Sequence, residues 1–229
     1  MAPGVALPPE DWPAETYPGY PAPVLCLGPA GDLQCRAARF GLVPHWCKDA
    51  LQANDMARKT YNARSETAFE KPSYRGPWLR RQWAVVPMQS YFEPCWEEAH
   101  RNGGRAVRWQ MARHNAAPFG AAGLWDAWVN PDDGEVVHSF TLLTVNADGH
   151  AVMGRMHKPG EEKRMPVLLA VHAFADWLNA SPAQAQGLMR TWPADDMTAQ
   201  PAPRAHSGTA RKGERGHVSP LGPQNLSLF

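Results

Sequence analysis

Hydrophobic residues along this chain fall in short runs, with polar residues and turn formers between them. Runs of about four to eight residues, rich in β-branched and aromatic side chains and bounded by Gly, Pro, Asn or Asp, are typical of strands. The runs that predict strands cover residues 24–27, 33–43, 82–88, 90–93, 105–112, 119–128, 138–145 and 166–171. The sequence therefore predicts many short strands rather than a few long helices.

Turn residues predict how some of these strands connect. Residues 28–32 (Gly-Pro-Ala-Gly-Asp) indicate a hairpin turn, and residues 114–118 indicate a hairpin-like link between the strands on either side. Residues 45–70 form a long connection without strand alternation. Short helices are predicted over residues 146–154, 172–179 and 182–190.

These elements indicate an α+β protein that is mainly antiparallel. Its 229 residues suffice for one domain with a sizeable core, and the 23 prolines argue against a long-helix bundle. We expect a single domain over residues 1–200, opening with an irregular arm over residues 1–23. Residues 201–229, rich in Pro, Ser, Gly and basic side chains, are expected to be a loosely held tail.

Composition narrows the class of function. No apolar run is long enough to span a bilayer, and the four cysteines form no CxxC motif and no metal-type pairing with histidine. We therefore expect a cytoplasmic protein with reduced thiols, without membrane contact, metal or cofactor, and we take a monomer as its oligomeric state.

Charge is unevenly distributed although the net charge is only +1. Residues 32–113 contain 14 Lys and Arg against eight Asp and Glu. This segment could bind a polyanion, and a solvated basic face is the alternative.

Candidate chemistry begins at Asn62, Arg64 and Ser65, within the sequence Tyr-Asn-Ala-Arg-Ser-Glu-Thr. In an extended segment Asn62 and Arg64 point the same way, and an amide beside a guanidinium can receive a phosphate or a sugar oxygen. The alternative is a helix start, because Ser65 and the Glu and Thr that follow it suit a helix N-terminus.

Two further segments carry titratable side chains. Glu93 lies among Phe92, Cys95 and Trp96, directly after a hydrophobic strand, where desolvation would raise its pKa; a strand-end Glu in water is the alternative. His157 precedes a buried strand and could shuttle protons, with Arg164 holding an anion beside it; a loop histidine without a chemical role is the alternative.

A fourth segment, Phe-Gly-Leu-Val-Pro-His-Trp-Cys-Lys-Asp at residues 40–49, contains Pro44, His45 and Trp46. An exposed Trp after a proline turn can stack on an unpaired base, although such a Trp is more often part of a core.

Taken together, four blocks resemble the SRAP (SOS-response-associated peptidase) family in order and approximate spacing. They are FGLVPHWCKD, NARSET, PMQSYFEPCW and MHKPGEEKRMPVLL, and the similarity runs over about residues 17–180. Pro94 stands where the family usually has Trp, and the last block contains a few extra residues.

The resemblance implies a barrel-like fold with short peripheral helices, and a sensor of abasic sites in the SOS-type DNA damage response that binds single-stranded DNA. In the family, a cysteine directly after the initiator Met becomes N-terminal, and its thiol and α-amine react with the abasic aldehyde. The product is a thiazolidine DNA–protein crosslink.

The family's roles carry over to matching residues of this chain. The resemblance implies that Asn62 positions the reacting centre, Glu93 assists the imine chemistry and His157 assists ring opening or reversal. The positions expected to contact DNA are Arg64, Arg164, Trp46, Ser65, Pro44 and His45.

The beginning of the chain departs from the family, because Ala2 follows Met1 where the family has Cys. Three explanations are open. The true start lies upstream at a Met-Cys; or the chain is a relative that binds DNA without crosslinking; or another nucleophile replaces the cysteine. The alternative functions are an abasic-site lyase or a peptidase-like hydrolase that uses Glu93 and His157, and a non-catalytic DNA-binding remnant.

We expect the chain as given to bind single-stranded DNA but to form no crosslink that survives a denaturing gel, since no thiol lies beside its α-amine. Incubation with an abasic oligonucleotide, followed by heating and electrophoresis, tests this. A heat-stable shifted band would contradict the expectation.

Overall fold

Two β-sheets and four short α-helices make up the part of the chain that the computed structural model describes, namely residues 6–8, 11–97, 99–202 and 225–227. The strands are β1 (Glu15–Thr16), β2 (Pro21–Leu27), β3 (Leu33–Phe40), β4 (Asn62–Arg64), β5 (Trp83–Met88), β6 (Ser90–Cys95), β7 (Val107–Arg113), β8 (Phe119–Val129), β9 (Val136–Asn146), β10 (Arg164–Pro166), β11 (Leu168–Ala170), β12 (Met197–Pro201) and β13 (Asn225–Ser227). The helices are α1 (Ala50–Ala57), α2 (Pro72–Leu79), α3 (Phe174–Asn179) and α4 (Pro182–Leu188).

The larger sheet closes into a five-stranded barrel in the order β9-β3-β2-β5-β8, with β8 pairing back to β9. Strand β9 is the hub of this sheet. One of its edges pairs first with β8 and then with β10, and the other pairs first with β3 and then with β4. Three short strands from distant parts of the chain are thereby held in one register.

Aromatic side chains fill the barrel and anchor the helices. Phe40 of β3 and Phe140 of β9 are fully buried, with their rings stacked 5.0 Å apart. Trp83 of β5 donates its indole N–H to Ala180 O, and Trp177 of α3 donates to Ala84 O, which fixes α3 against the barrel. Much of the high Trp content of the chain is therefore structural.

Close backbone approach requires a glycine in β8. A Cβ at Gly123 would lie 2.3 Å from the carbonyl oxygen of Thr141 on β9, a separation that no side chain tolerates.

The smaller sheet has the order β1-β13-β6-β7-β12. It packs on the barrel through Tyr91 of β6, which is fully buried, meets the edge of Phe119 and donates to the sulfur of Met153. This packing sets β6 opposite the β4–β9–β10 side of the barrel.

The predicted class is confirmed: the fold is α+β, with most strand pairs antiparallel. Strands form in every run predicted to contain one, and helices form within residues 172–179 and 182–190. The hairpin turn at residues 28–32 is present, closed by Gly28 N donating to Asp32 O at 2.8 Å.

Four predictions about elements were wrong. The strands flanking residues 114–118 do not pair, because β7 lies in the smaller sheet and β8 in the barrel. The run 166–171 is split between β10 and β11, since Val167 N donates to Leu143 O of β9 while Val167 O accepts from Ala122 N of β8. The connection 45–70 contains α1 and β4. Residues 146–154 comprise the end of β9, two turns and the start of a 3-10 helix (Met153–Arg155) rather than one short helix.

Parts of the predicted arm and tail lie outside the described residues, at 1–5, 9–10, 203–224 and 228–229. Within the predicted tail, Asn225–Ser227 pairs in parallel with Ser90–Phe92. No helix in the described part of the chain has the length and apolarity needed to cross a membrane.

Replacing Phe140 by Ala should destabilise the fold by about 3–5 kcal/mol, because it leaves a cavity at the centre of the barrel. The free energy of unfolding in urea measures this. Val129→Ala, at the exposed end of β8, should change that free energy by less than about 0.5 kcal/mol. Equal losses in the two variants would contradict the packing described here.

Candidate functional site

A cleft of about 320 Å³ opens between the barrel and β6 of the smaller sheet. Its walls come from β4, β9 and β10 on the barrel side, and from β6 and the loop before β10 on the other. The residues that line it are Tyr61, Asn62, Arg64, Glu93, Thr144, His157, Arg164, Met165 and Pro166. All three predicted catalytic residues therefore meet at one site.

Asn62 enters the cleft from the first position of β4. Its backbone is fixed by pairing with Leu142 of β9 and by the hydroxyl of Tyr74, which donates to Asn62 O at 3.1 Å. Its side-chain amide oxygen is buried and accepts no hydrogen bond from any residue that the structure describes. An unsatisfied buried acceptor costs about 1–3 kcal/mol, so this oxygen is available to a donor on a ligand.

Glu93 reaches the cleft from β6 and is almost completely buried. Its cross-strand partner on β7 is Trp109, so the two side chains lie on the same face of the sheet as neighbours. Burial raises the pKa of Glu93 well above its ordinary value. The carboxyl group is therefore held in its protonated form, as the aromatic neighbours in the sequence suggested.

His157 faces Glu93 from the loop before β10. It adopts a left-handed backbone conformation with φ of 61°, and its N–H donates to Pro94 O at 2.8 Å. Such a φ is unfavourable for a residue with a Cβ, so the surrounding contacts hold the histidine in place. The loop is thereby tied to β6 one residue beyond Glu93.

The His157 ring lies between two oxygen atoms. Its Nε2 is 2.9 Å from the carbonyl oxygen of Arg164 and 3.7 Å from Oε2 of Glu93. Burial lowers the pKa of His157, and the hydrogen bond to Arg164 O opposes that shift only in part. Burial thus favours the uncharged form of both groups, and an acid and a base in these forms can exchange protons with a substrate.

Arg164 has a mainly structural environment. Its side chain is 13% exposed and binds both Glu66 and Glu162, at 2.8 and 2.6 Å, as well as Thr144 O at 2.5 Å. Hydrogen bonds and charge from Arg164 lower the pKa of Glu66 and of Glu162. Two carboxylates thus compete with any phosphate for this guanidinium.

Arg64 is more available. Its side chain is 59% exposed and shares Glu162 with Arg164, through a 2.5 Å contact. At the mouth of the cleft, Arg64 is the cation that a phosphate can reach with the smaller loss of existing contacts.

Four of the predicted DNA-contacting residues do not line the cleft. Ser65 is buried, and its N–H donates to Thr144 O, which continues the pairing of β4 with β9. Pro44, His45 and Trp46 lie on the loop after β3, beside α2, where Trp46 donates to Pro72 O at 3.4 Å.

Four lining residues were not predicted: Tyr61, Thr144, Met165 and Pro166. Tyr61 and Met165 directly adjoin predicted residues and Pro166 lies two positions after Arg164, so the motifs contained a signal for these three. No sequence motif indicated Thr144, because only the pairing of β9 with β4 and β10 brings this residue to the site.

Cysteine and metal chemistry have little support in the described part of the chain. Burial raises the pKa of Cys26 and Cys47, and raises that of Cys35 to about 11, so these thiols are not activated. Among the residues that the structure describes, no group of three or more His, Cys, Asp or Glu side chains is placed to hold a metal ion.

Comparison with known proteins gives the class of this fold and site. The family model described as SOS response associated peptidase (SRAP) matches residues 10–205. The chain therefore belongs to the SRAP family, and the resemblance drawn from the four sequence blocks is confirmed.

Two relatives are described as abasic site processing proteins. The chain is 32% identical over 164 residues to the abasic site processing protein YoqW of Bacillus subtilis, an alignment that covers 70% of this chain and 66% of the relative. It is 29% identical over 184 residues to the abasic site processing protein HMCES of Gallus gallus, which covers 71% of this chain and 51% of the relative. The chain thus spans just under two thirds of the first relative and about half of the second.

Solved structures share the fold. A protein from Bordetella bronchiseptica superposes with a TM-score of 0.76 at 32% identity, covering 85% of this chain and 90% of that one. A protein from Bacteroides thetaiotaomicron superposes with a TM-score of 0.68 at 25% identity, covering 80% and 74%.

Glu93→Gln should stabilise the protein at neutral pH and remove a pH dependence. A carboxyl whose pKa is raised in the folded state stabilises the fold fully below the unfolded pKa of about 4.3, and that stabilisation is lost as pH rises through the folded pKa. We expect Glu93→Gln to raise the free energy of unfolding by about 1–3 kcal/mol near pH 8, and by less near pH 4.

Urea denaturation at several pH values measures the difference. Glu135→Gln, in the exposed turn between β8 and β9, is the matched control and should follow the parent chain throughout. A difference between Glu93→Gln and the parent that stays constant with pH would contradict a protonated Glu93.

Proposed function

We propose that this chain recognises abasic sites in single-stranded DNA and processes them at the cleft between β4, β6 and β10. The observation that carries the proposal is the contact of Glu93 with His157, whose Oε2 and Nε2 atoms lie 3.7 Å apart in the cleft. Burial raises the pKa of Glu93 and lowers the pKa of His157, which favours a protonated carboxyl beside a neutral imidazole. Membership of the SRAP family and the descriptions of YoqW and HMCES as abasic site processing proteins support the same substrate.

The pair suits the chemistry of an aldehyde. An abasic sugar in its open form presents a carbonyl group, and imine formation with an amine requires a proton on the departing oxygen and the loss of protons from nitrogen. The protonated carboxyl of Glu93 can give the first proton, and the neutral imidazole of His157 can accept another. These proton transfers are the same whichever amine attacks; Met1–Val5 lie outside the described residues.

The remaining cleft residues suit a sugar-phosphate. The unsatisfied amide oxygen of Asn62 can accept a hydrogen bond from a sugar hydroxyl. The exposed guanidinium of Arg64 can bind a flanking phosphate, and Arg164 holds the carboxylates in place around it. A volume of about 320 Å³ is at the lower end for ligand pockets, which fits a sugar without its base.

A second candidate is strand scission by β-elimination. The raised pKa of Glu93 also makes its ionised form a stronger base, able to remove the proton next to an imine. Cleaved DNA in the experiment below would favour this lyase activity over recognition with reversible imine formation.

The experiment uses an abasic single-stranded oligonucleotide and an intact one of equal length. Fluorescence anisotropy measures binding, and borohydride reduction followed by a denaturing gel measures imine formation and scission. We expect Glu93→Gln and His157→Gln each to slow imine formation by at least about 100-fold, because each removes a general acid or base. Their affinity for the intact oligonucleotide should change by less than about twofold.

Glu135→Gln serves again as the exposed carboxylate control and should react at the parent rate. Equal affinity of the parent chain for abasic and intact DNA, together with no trapped imine, would refute the proposed function. Parent-like rates in both cleft variants would refute the assignment of Glu93 and His157.

A further inference from the structure

A second group of polar side chains lies outside the cleft, where the loop after β3 meets the end of α2. Asp126 of β8 is buried there, with a side chain only 4% exposed. One of its carboxylate oxygens accepts from Arg80 Nη2 at 3.0 Å. The other faces His45 Nδ1 at 3.4 Å and accepts no hydrogen bond from the described residues. His45 and Arg80 are 51% and 46% exposed, so one buried carboxylate holds an imidazole and a guanidinium at the surface.

Residue 76 is a glycine, and the lack of a side chain there leaves room for both groups. A Cβ at Gly76 would lie 3.1 Å from Arg80 Nη1 and 3.2 Å from His45 Cε1. The imidazole and the guanidinium therefore lie together over the same point of α2.

The surrounding surface is positively charged. Residues 71–81 contain four Lys and Arg and no Asp or Glu, and all four cations are exposed. Trp46, 38% exposed, lies at the start of the same helix. A track of cations beside an accessible aromatic ring is the usual composition of a surface that binds single-stranded nucleic acid.

Helix α2 also contacts the cleft. Tyr74, on its buried side, donates to the backbone carbonyl of Asn62. The helix has eight residues and is about 12 Å long, so a few nucleotides of a strand leaving the cleft could extend along it.

We propose that His45, Arg80 and Asp126 form a phosphate-binding subsite for the DNA strand that runs from the cleft along α2, and that the subsite gains affinity when His45 takes up a proton. The inference rests on the proposed function, because its ligand is the flanking DNA. With a neutral imidazole, the charge of Arg80 is offset by that of Asp126, whereas the imidazolium leaves the trio with one net positive charge.

The charged groups around His45 are Asp126 from β8, Arg80 from α2, and Lys48 and Asp49 on its own loop. Asp49 is engaged as the N-cap of α1, where it accepts from Gln52 N.

Fluorescence anisotropy of the full chain with an intact single-stranded oligonucleotide, at constant ionic strength, tests the subsite without engaging the abasic chemistry. We expect binding about three- to fivefold tighter near pH 5.5 than near pH 8. His45→Gln should bind at the weaker level at both pH values, and His45→Lys, with a fixed charge, at the tighter level at both.

His172→Gln changes an exposed histidine on the loop before α3 and should keep the parent response, as the matched control. A full pH response in His45→Gln, or equal affinity of the Gln and Lys variants, would overturn the subsite. An abasic oligonucleotide of equal length is measured in parallel, and preferential binding of abasic DNA alongside either of those results refutes the subsite alone. Absence of binding to both oligonucleotides refutes the proposed function as well.

Discussion

The pairing of strand β9 is the constraint on which this structure depends. One edge closes the barrel through β8 and then pairs with β10, and the other edge pairs with β3 and then with β4. Asn62 and Arg164, about one hundred residues apart in the chain, are aligned by hydrogen bonds to this single strand. Neighbouring strands lie about 4.8 Å apart, so the ladder alone fixes these side chains closely enough for a binding site.

The chemistry of the cleft follows from where the second sheet packs. Strand β6 carries Glu93 into the interface with the barrel, where water is excluded, and the carboxyl becomes neutral. The loop with His157 is tied to the same strand through Pro94 O, so the acid and the base belong to one rigid unit. Arg64 and Arg164, in contrast, are surrounded by Glu66 and Glu162, which keep the mouth of the cleft close to neutral overall.

The sequence predicted the strands well, because the run of β-branched and aromatic residues that indicates a buried strand lies within a few consecutive positions of the chain. It predicted strand partners less well, because pairing depends on contacts between distant segments. The link at residues 114–118 has the length of a hairpin, yet β7 pairs with the earlier β6. The run 166–171 looks continuous, yet Val167 crosses from the edge of β9 to the edge of β8. For the site, local motifs identified Asn62, Glu93 and His157, whereas Thr144 and Asp126 acquire a role only through the fold.

The cleft and the group formed by His45, Arg80 and Asp126 each contain a buried carboxyl group, and burial has a different consequence in each. Among the residues that the structure describes, Glu93 has a half-buried histidine beside it and no guanidinium in an ion pair with it, so burial dominates and favours the neutral acid. Asp126 is buried to a similar degree but accepts a hydrogen bond from Arg80, and a carboxylate in that setting orients the groups above it. Since α2 touches Asn62 through Tyr74 and also carries Gly76 beneath His45, a strand held on the outer surface of this helix would be aligned with the cleft by the same packing that stabilises the fold.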